Sequence, residues 1–200
     1  MYKFIIKVLG FGALVGISML AVFSMADGTT DALYHKFTTP RQQALILGTS
    51  RAAQGIQPRI LDSILDRFDV YNYAFTIPSS PYGEIYLQSI KRKLDTTTVD
   101  GLFVLEVNPW TFSEVRHPKT HEPLITETNN FIHNTTHVTQ DPNLQYLIRS
   151  YKEKYINILK NKNRKGAYQT FFVEDDGWLR VTIEADMIST ELRTKNKLET

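Results

Sequence analysis

Residues 44–53 read ALILGTSRAA, and the fold turns on the join inside that stretch. Four apolar residues, Ala44 to Leu47, run straight into Gly48, Thr49, Ser50 and Arg51. An apolar run this short, ending on glycine, is too brief for a core helix. It suits a strand buried on both faces, as in a parallel sheet. Downstream, Gln57-Pro58 precedes ILDSILDRF, where proline sits in a first helical turn and Ile60, Leu61, Ile64, Leu65 and Phe68 recur at three- and four-residue steps.

The alternation repeats. Residues 69–75 (DVYNYAF) pattern as a second strand, and Ser79-Ser80-Pro81 offer a cap and a proline start for a helix bearing Tyr82, Tyr86, Ile90 and Leu94 on one face. After a polar turn at Asp95 to Thr98, residues 101–107 (GLFVLEV) form a third strand that closes on Asn108-Pro109-Trp110. Three strands separated by two helices imply right-handed crossovers and an α/β fold, a parallel sheet with flanking helices on both faces. Residues 111–140 carry little periodicity and read as a long surface excursion. Asp141-Pro142 then opens a helix running to Lys160, with Leu144, Leu147, Ile148, Tyr151, Tyr155, Ile158 and Leu159 in one stripe opposite Lys152, Lys154 and Lys160. AYQTFFV and WLRVTI flank Glu174 to Gly177 as a hairpin.

A chain of 200 residues with 42% hydrophobic and 22% charged content fits one globular domain plus attachments. Its 23 cations are scattered among 21 anions, for a net charge of +2, with no basic stripe to meet nucleic acid. Cysteine is absent, which excludes disulfides, thiolate metal sites and a cysteine nucleophile.

The amino terminus points to a membrane. Val8 to Ala26 carry no charge, a length that matches the roughly 30 Å hydrocarbon layer when helical. Lys3 and Lys7 precede the segment and Asp27 and Asp31 follow it, so the positive-inside bias puts the amino terminus in the cytoplasm. This predicts a single-pass protein of the inner, cytoplasmic membrane whose remaining chain is extracytoplasmic. A cleaved signal peptide is the alternative, with Ser24-Met25-Ala26 before the cut. Residues 1–26 are thus the anchor or signal, 27–43 a polar tether, and 44–200 the folded domain. Gly12 and Gly16 are spaced for helix pairing, but oligomeric state stays open.

In open parallel sheets, ligands sit at the carboxyl ends of strands. Those ends supply Ser50, the stretch Asn72 to Thr76, and Asn108. Ser50 is either a nucleophile presented before a helix or that helix's cap. Asn108 is either an oxyanion donor or a turn residue. Arg51 either clamps an anionic substrate or pairs with a nearby carboxylate. Trp110 and Trp178 are candidates to stack on sugar rings or to fill core. His117, His121, His133 and His137 read as loop histidines, since asparagine and threonine around the last two oppose a shared helix face, and no metal or cofactor site is expected.

At these positions the chain resembles the SGNH or GDSL hydrolase superfamily, in particular its membrane-tethered DltD-like and AlgX-like branch. Gly48-Thr49-Ser50-Arg51-Ala52 is similar to the first block, usually Gly-Asp-Ser, with Thr49 in place of the aspartate. Glu106-Val107-Asn108-Pro109 is similar to the third block, with Glu106 where the family has glycine. Asn72 matches the start of the second block, and Ile77 stands where its glycine is expected. The resemblance implies a flavodoxin-like three-layer sandwich, Ser50 as nucleophile, and an oxyanion hole from the Ser50 amide, the Ile77 amide and the Asn108 side chain. Arg51, Asn72 and Trp110 would lie along the substrate. It also implies an Asp-x-x-His block, and that spacing occurs nowhere in the sequence. Either the domain is incomplete at its carboxyl end, with His and Asp beyond residue 200, or the protein is a non-catalytic relative. The expected function is a serine esterase or O-acyltransferase acting on acyl esters of cell-envelope glycan. The alternative is an envelope-anchored module that binds glycan or a partner.

Overall fold

A computed structural model describes residues 1–76, 82–109, 120, 130–161 and 171–182. Strands β1 (Ala44–Leu47), β2 (Val70–Asn72) and β3 (Leu102–Leu105) form a parallel sheet in the order β2-β1-β3, with Ala44 opposite both Val70 and Leu102. The two crossovers contain helices α2 (Ser50–Gly55) and α3 (Pro58–Leu65), then α4 (Glu84–Lys93). The class is α/β, as the strand–helix alternation predicts. Because all three strands run the same way, their carboxyl ends share one rim.

The alternation of side chains along β1 divides the core in two. Leu45 and Leu47 face an aromatic-rich cluster that includes Phe37, Tyr73, Phe75, Tyr86 and Tyr146. Ala44 and Ile46 face a smaller one with Ala52, Ala53, Val70, Val173 and Leu179. The cover is incomplete over β3: Phe103 and Leu105, in register with Leu45 and Leu47, are about half exposed. The apolar row of α3 is also mostly outside, with Ile64 at 72% exposure and only Leu61 reaching the core, and Phe68, expected to continue that row, lies past the helix end at 93% exposure. Helical spacing identified the element, but not what its face meets.

The expected tether is part of the domain. Ala32–Phe37 form a 3-10 helix capped by Asp31, whose carboxylate accepts the Leu33 N–H. Tyr34 and Phe37 are buried, and Phe37 stacks on Phe75 at 5.7 Å while its edge or face meets Tyr73, Phe131 and Tyr146. Lys36 is also fully buried, its ammonium donating to the carbonyls of Asn72 at 2.8 Å and Ala74 at 2.7 Å. Leu33 and Ala32 also pack on the core, and the element was hidden because a 3-10 helix of six residues is too short to show a helical period.

Two further corrections concern the carboxyl half. Within the stretch read as a surface excursion, Ile132, Thr135 and Val138 are buried, and Ile132 and Val138 belong to the aromatic-rich core. A one-turn helix, α5 (Phe131–Asn134), carries the first of them. The single long helix expected over 142–160 is two: α6 (Leu144–Arg149), capped by Asn143 rather than opened by Pro142, and α7 (Tyr155–Asn161). The break falls where the Ser150 hydroxyl meets Thr135 Oγ1 at 2.9 Å, and the Tyr155 hydroxyl then donates to the Leu147 carbonyl at the end of α6. Tertiary hydrogen bonds override a continuous apolar stripe. The helix expected from Ser79-Ser80-Pro81 starts instead at Glu84, and residues 77–81 lie outside those described.

The predicted hairpin is present as antiparallel β4 (Phe171–Val173) and β5 (Leu179–Val181). Its turn docks on the end of β2, where Asn72 N–H donates to the Asp176 carbonyl at 2.8 Å. Gly177 has φ +81°, and a Cβ there would collide with the Asn72 carbonyl oxygen, so this turn needs glycine twice over.

At the other end of the chain, Tyr2–Phe23 form one helix, α1, long and apolar enough to cross a membrane. Its last turn enters the domain: Phe23 is buried against the ring of Tyr155 at 5.0 Å, and Val22, Met25 and Ala26 pack on the same core.

Candidate active site

The rim at the ends of β1 and β3 is built around one carboxylate. Glu106 follows β3 and Asn108 lies two residues on, a spacing that in extended chain puts both side chains on one side. Glu106 Oε2 accepts the backbone N–H of Thr49 at 2.9 Å and its hydroxyl at 2.8 Å. Glu106 Oε1 accepts Asn108 Nδ2 at 2.5 Å, and that amide also reaches Thr49 Oγ1 at 3.5 Å. Thr49, fully buried, is in turn the N-cap of α2, with its oxygen facing the Arg51 N–H.

The backbone makes room for this cluster. Gly48 has φ +140°, and a Cβ on it would stand 2.7 Å from Glu106 Oε2 and 2.8 Å from Glu106 Cβ. Beneath the loop, Gly48 N–H points to the Tyr86 hydroxyl at 3.4 Å, and that hydroxyl donates to the Tyr73 carbonyl at 2.7 Å. Burial alone raises the Glu106 carboxyl pKa, but the hydrogen bonds from Asn108 and Thr49, with the nearby Arg51 charge, outweigh it and hold the group below the usual glutamate range. Glu106 is an anion at neutral pH.

Ser50 is the first residue of α2 and is partly exposed. At that position its N–H has no intrahelical acceptor. The cap role belongs to Thr49, so the Ser50 hydroxyl is not used for it, and among the described residues no group hydrogen-bonds that hydroxyl. Ser50 and Asn108, 58 positions apart in sequence, therefore come to one rim, joined through Thr49 and Glu106.

The other candidates divide. Arg51 is exposed and makes no side-chain ion pair or hydrogen bond among the described residues, although its charge helps hold Glu106 low. Asn72 is a correction: it is fully buried, its amide nitrogen donates to the carbonyls of Ala52 and Ile56 at 2.9 Å each, and its oxygen accepts the Ala74 N–H. That carboxamide ties α2 to β2 and leaves nothing for a substrate. Ile77, Trp110, His117 and His121 lie outside the described residues. Trp178 is half-buried, donating its indole N–H to the Gln54 carbonyl at 2.7 Å under the Arg59 guanidinium. His133 lies in α5 and His137 past its end, bound to Gln145 Oε1 at 2.8 Å, so they do not share a helix face. Among the described residues no group of three metal-ligating side chains occurs.

Sequence reasoning missed the weight of Glu106 and Gly48. The signal was available: a carboxylate two residues before an asparagine at a strand end, facing a glycine–threonine pair at the end of the next strand. No family model, curated protein or solved structure matches the chain.

Proposed function

We propose that the protein is a membrane-anchored, exported serine esterase or O-acyltransferase acting on acyl esters of cell-envelope glycan, with Ser50 as nucleophile. The observation that carries this reading is the meeting of Ser50 and Asn108 at the rim shared by β1 and β3, with the cap role taken by Thr49 and the serine hydroxyl left over. The resemblance to the SGNH hydrolases supports it, and the two departures from that pattern complement one another. The carboxylate absent at position 49 is present at Glu106, and the threonine and glycine opposite accommodate it.

In this reading Ser50 Oγ attacks the acyl carbon and its proton passes to a base. The tetrahedral oxyanion is held by the Ser50 N–H at the start of α2, and the Asn108 carboxamide joins it by turning one N–H away from its long contact with Thr49 while Glu106 keeps the other. Collapse expels the sugar oxygen, and the acyl-serine is released to water or to an acceptor hydroxyl. Lys3 and Lys7 in the first turns of α1, and Asp27 and Asp31 beyond its far end, orient it with the domain outside the cytoplasm. Packing of Phe23, Met25 and Ala26 into the core favours a retained anchor over a leader cut before Asp27.

One observation favours the rival, a non-catalytic glycan- or partner-binding module: among the described residues no histidine or carboxylate bonds the Ser50 hydroxyl, and without a base a serine is a poor nucleophile. Labelling decides between them. A fluorophosphonate probe should modify the full-length protein in membranes and not its Ser50→Ala variant. Equal labelling of the two, or none of either, removes the nucleophile.

A further inference from the structure

Helix α1 leaves no stalk between bilayer and domain. From Val8, the first residue past Lys7, to Phe23 the helix rises only about 24 Å at 1.5 Å per residue, so a hydrocarbon layer of roughly 30 Å takes up all of it and the stems of Lys3 and Lys7 must reach back to the opposite headgroups. Phe23, the last residue of α1, is already a core residue, so whatever touches Phe23 stands at the membrane surface. What touches it is α7. Tyr155 meets the Phe23 ring at 5.0 Å and stacks on Tyr151 at 5.6 Å, and since their hydroxyls are bonded within the domain, to the Leu147 carbonyl and to Thr30 Oγ1, this pair joins α7 firmly to the membrane-proximal end of α1.

The rest of α7 has a divided surface. Ile158 is buried in the core, whereas Ile156 and Leu159, three residues apart and so on one side, are 50% and 43% exposed. Lys152 and Lys154 just before the helix, and Lys160 within it, are exposed, against a single acid, Glu153. Apolar side chains beside lysines whose long stems can reach phosphate, next to a helix of membrane-spanning length, are the composition of an interfacial helix.

We propose that α7 is a membrane seat: Ile156 and Leu159 insert at the boundary between headgroups and acyl chains, Lys152, Lys154 and Lys160 meet lipid phosphates, and the domain is held at a fixed tilt on the bilayer. This rests on the reading of α1 as a membrane span, not on the chemistry of Ser50. The ligand is an anionic phospholipid surface.

The chain has no cysteine, so single cysteines report cleanly. Full-length Ile156→Cys, Leu159→Cys, Val15→Cys and Phe68→Cys variants would carry an environment-sensitive fluorophore in vesicles of phosphatidylcholine and phosphatidylglycerol, with a spin-label quencher on lipid just below the headgroups. The substituted side chains are exposed, and an unchanged thermal midpoint confirms the fold. The expected result is emission reduced about twofold at positions 156 and 159, as for groups buried roughly 5–10 Å into the interface, and unchanged at position 68. Lipid contact at Val15 with none at 156 and 159 overturns the seat while leaving the span intact. No lipid contact at Val15 overturns both. Equal quenching at Phe68 shows the domain lying on the bilayer without a preferred face and also overturns it.

Discussion

Gly48 is the residue on which the candidate site depends most directly. Its left-handed φ and the contact its missing Cβ would make with Glu106 act together, because the space that glycine leaves is the space the carboxylate occupies. Gly48→Ala should therefore lower stability by about 1–3 kcal/mol from backbone strain, with the displaced Glu106 adding to the loss. A urea titration of the single and double variants checks the cause: adding Glu106→Gly should recover part of the deficit, and a fully additive pair of losses would remove the steric account. At this scale the sequence was half legible. The strand-end positions of Ser50 and Asn108 could be read because strand ends announce themselves by glycine, proline and asparagine. The roles of Thr49, Glu106 and Asn72 could not, because a carboxamide or carboxylate looks the same in sequence whether it faces a ligand or caps a helix.

At the scale of elements, the parallel strands and α3 were legible from short apolar runs and three- and four-residue spacing, which are local properties. The 3-10 helix at Ala32–Phe37 and the break between α6 and α7 were not, since each is set by partners distant in sequence. Tyr34 is tied to Asn143, whose N–H donates to its hydroxyl at 3.0 Å, and Ser150 to Thr135 at 2.9 Å. Phe37 shows how much a segment resembling a linker can contribute. It is fully buried among four aromatic rings, so Phe37→Ala should cost about 3–5 kcal/mol. The same change at Phe68, which is 93% exposed, should be close to neutral, and the two thermal midpoints compared directly test whether residues 32–37 belong to the core.

Across the whole molecule, the two buried lysines set an unusual response to pH. Burial pulls the Lys36 ammonium down to about 7, with Asp176 opposing the fall and Lys93 adding to it, and burial pulls Lys93 down to about 7 as well. The sign follows from proton counting. Between about 7 and the ordinary lysine range near 10.4, the unfolded chain holds protons that the folded chain has lost, so stability rises with pH across that window. Below about 7 both forms are charged and the burial penalty is present in full. Above pH ~10 the slope reverses, because Tyr71, Tyr73, Tyr86 and Tyr146, held neutral by burial, resist an ionisation open to them when unfolded. Thermal midpoints should therefore climb from pH 7 toward pH 10 and then fall, and Lys36→Met should remove roughly half of the rising slope. An unchanged slope in that variant would show that the ammonium is not the source.

The burial of Phe23 also bears on how the protein can be handled. The usual route to a soluble sample, trimming the apolar helix at Asp27, would here pull a ring out from beside Tyr155 and strip Val22, Met25 and Ala26 from the same wall. The trimmed form should bind a hydrophobic dye and melt well below the intact protein in detergent. By the same reasoning, a protease that clipped the chain there should release a domain already coming apart.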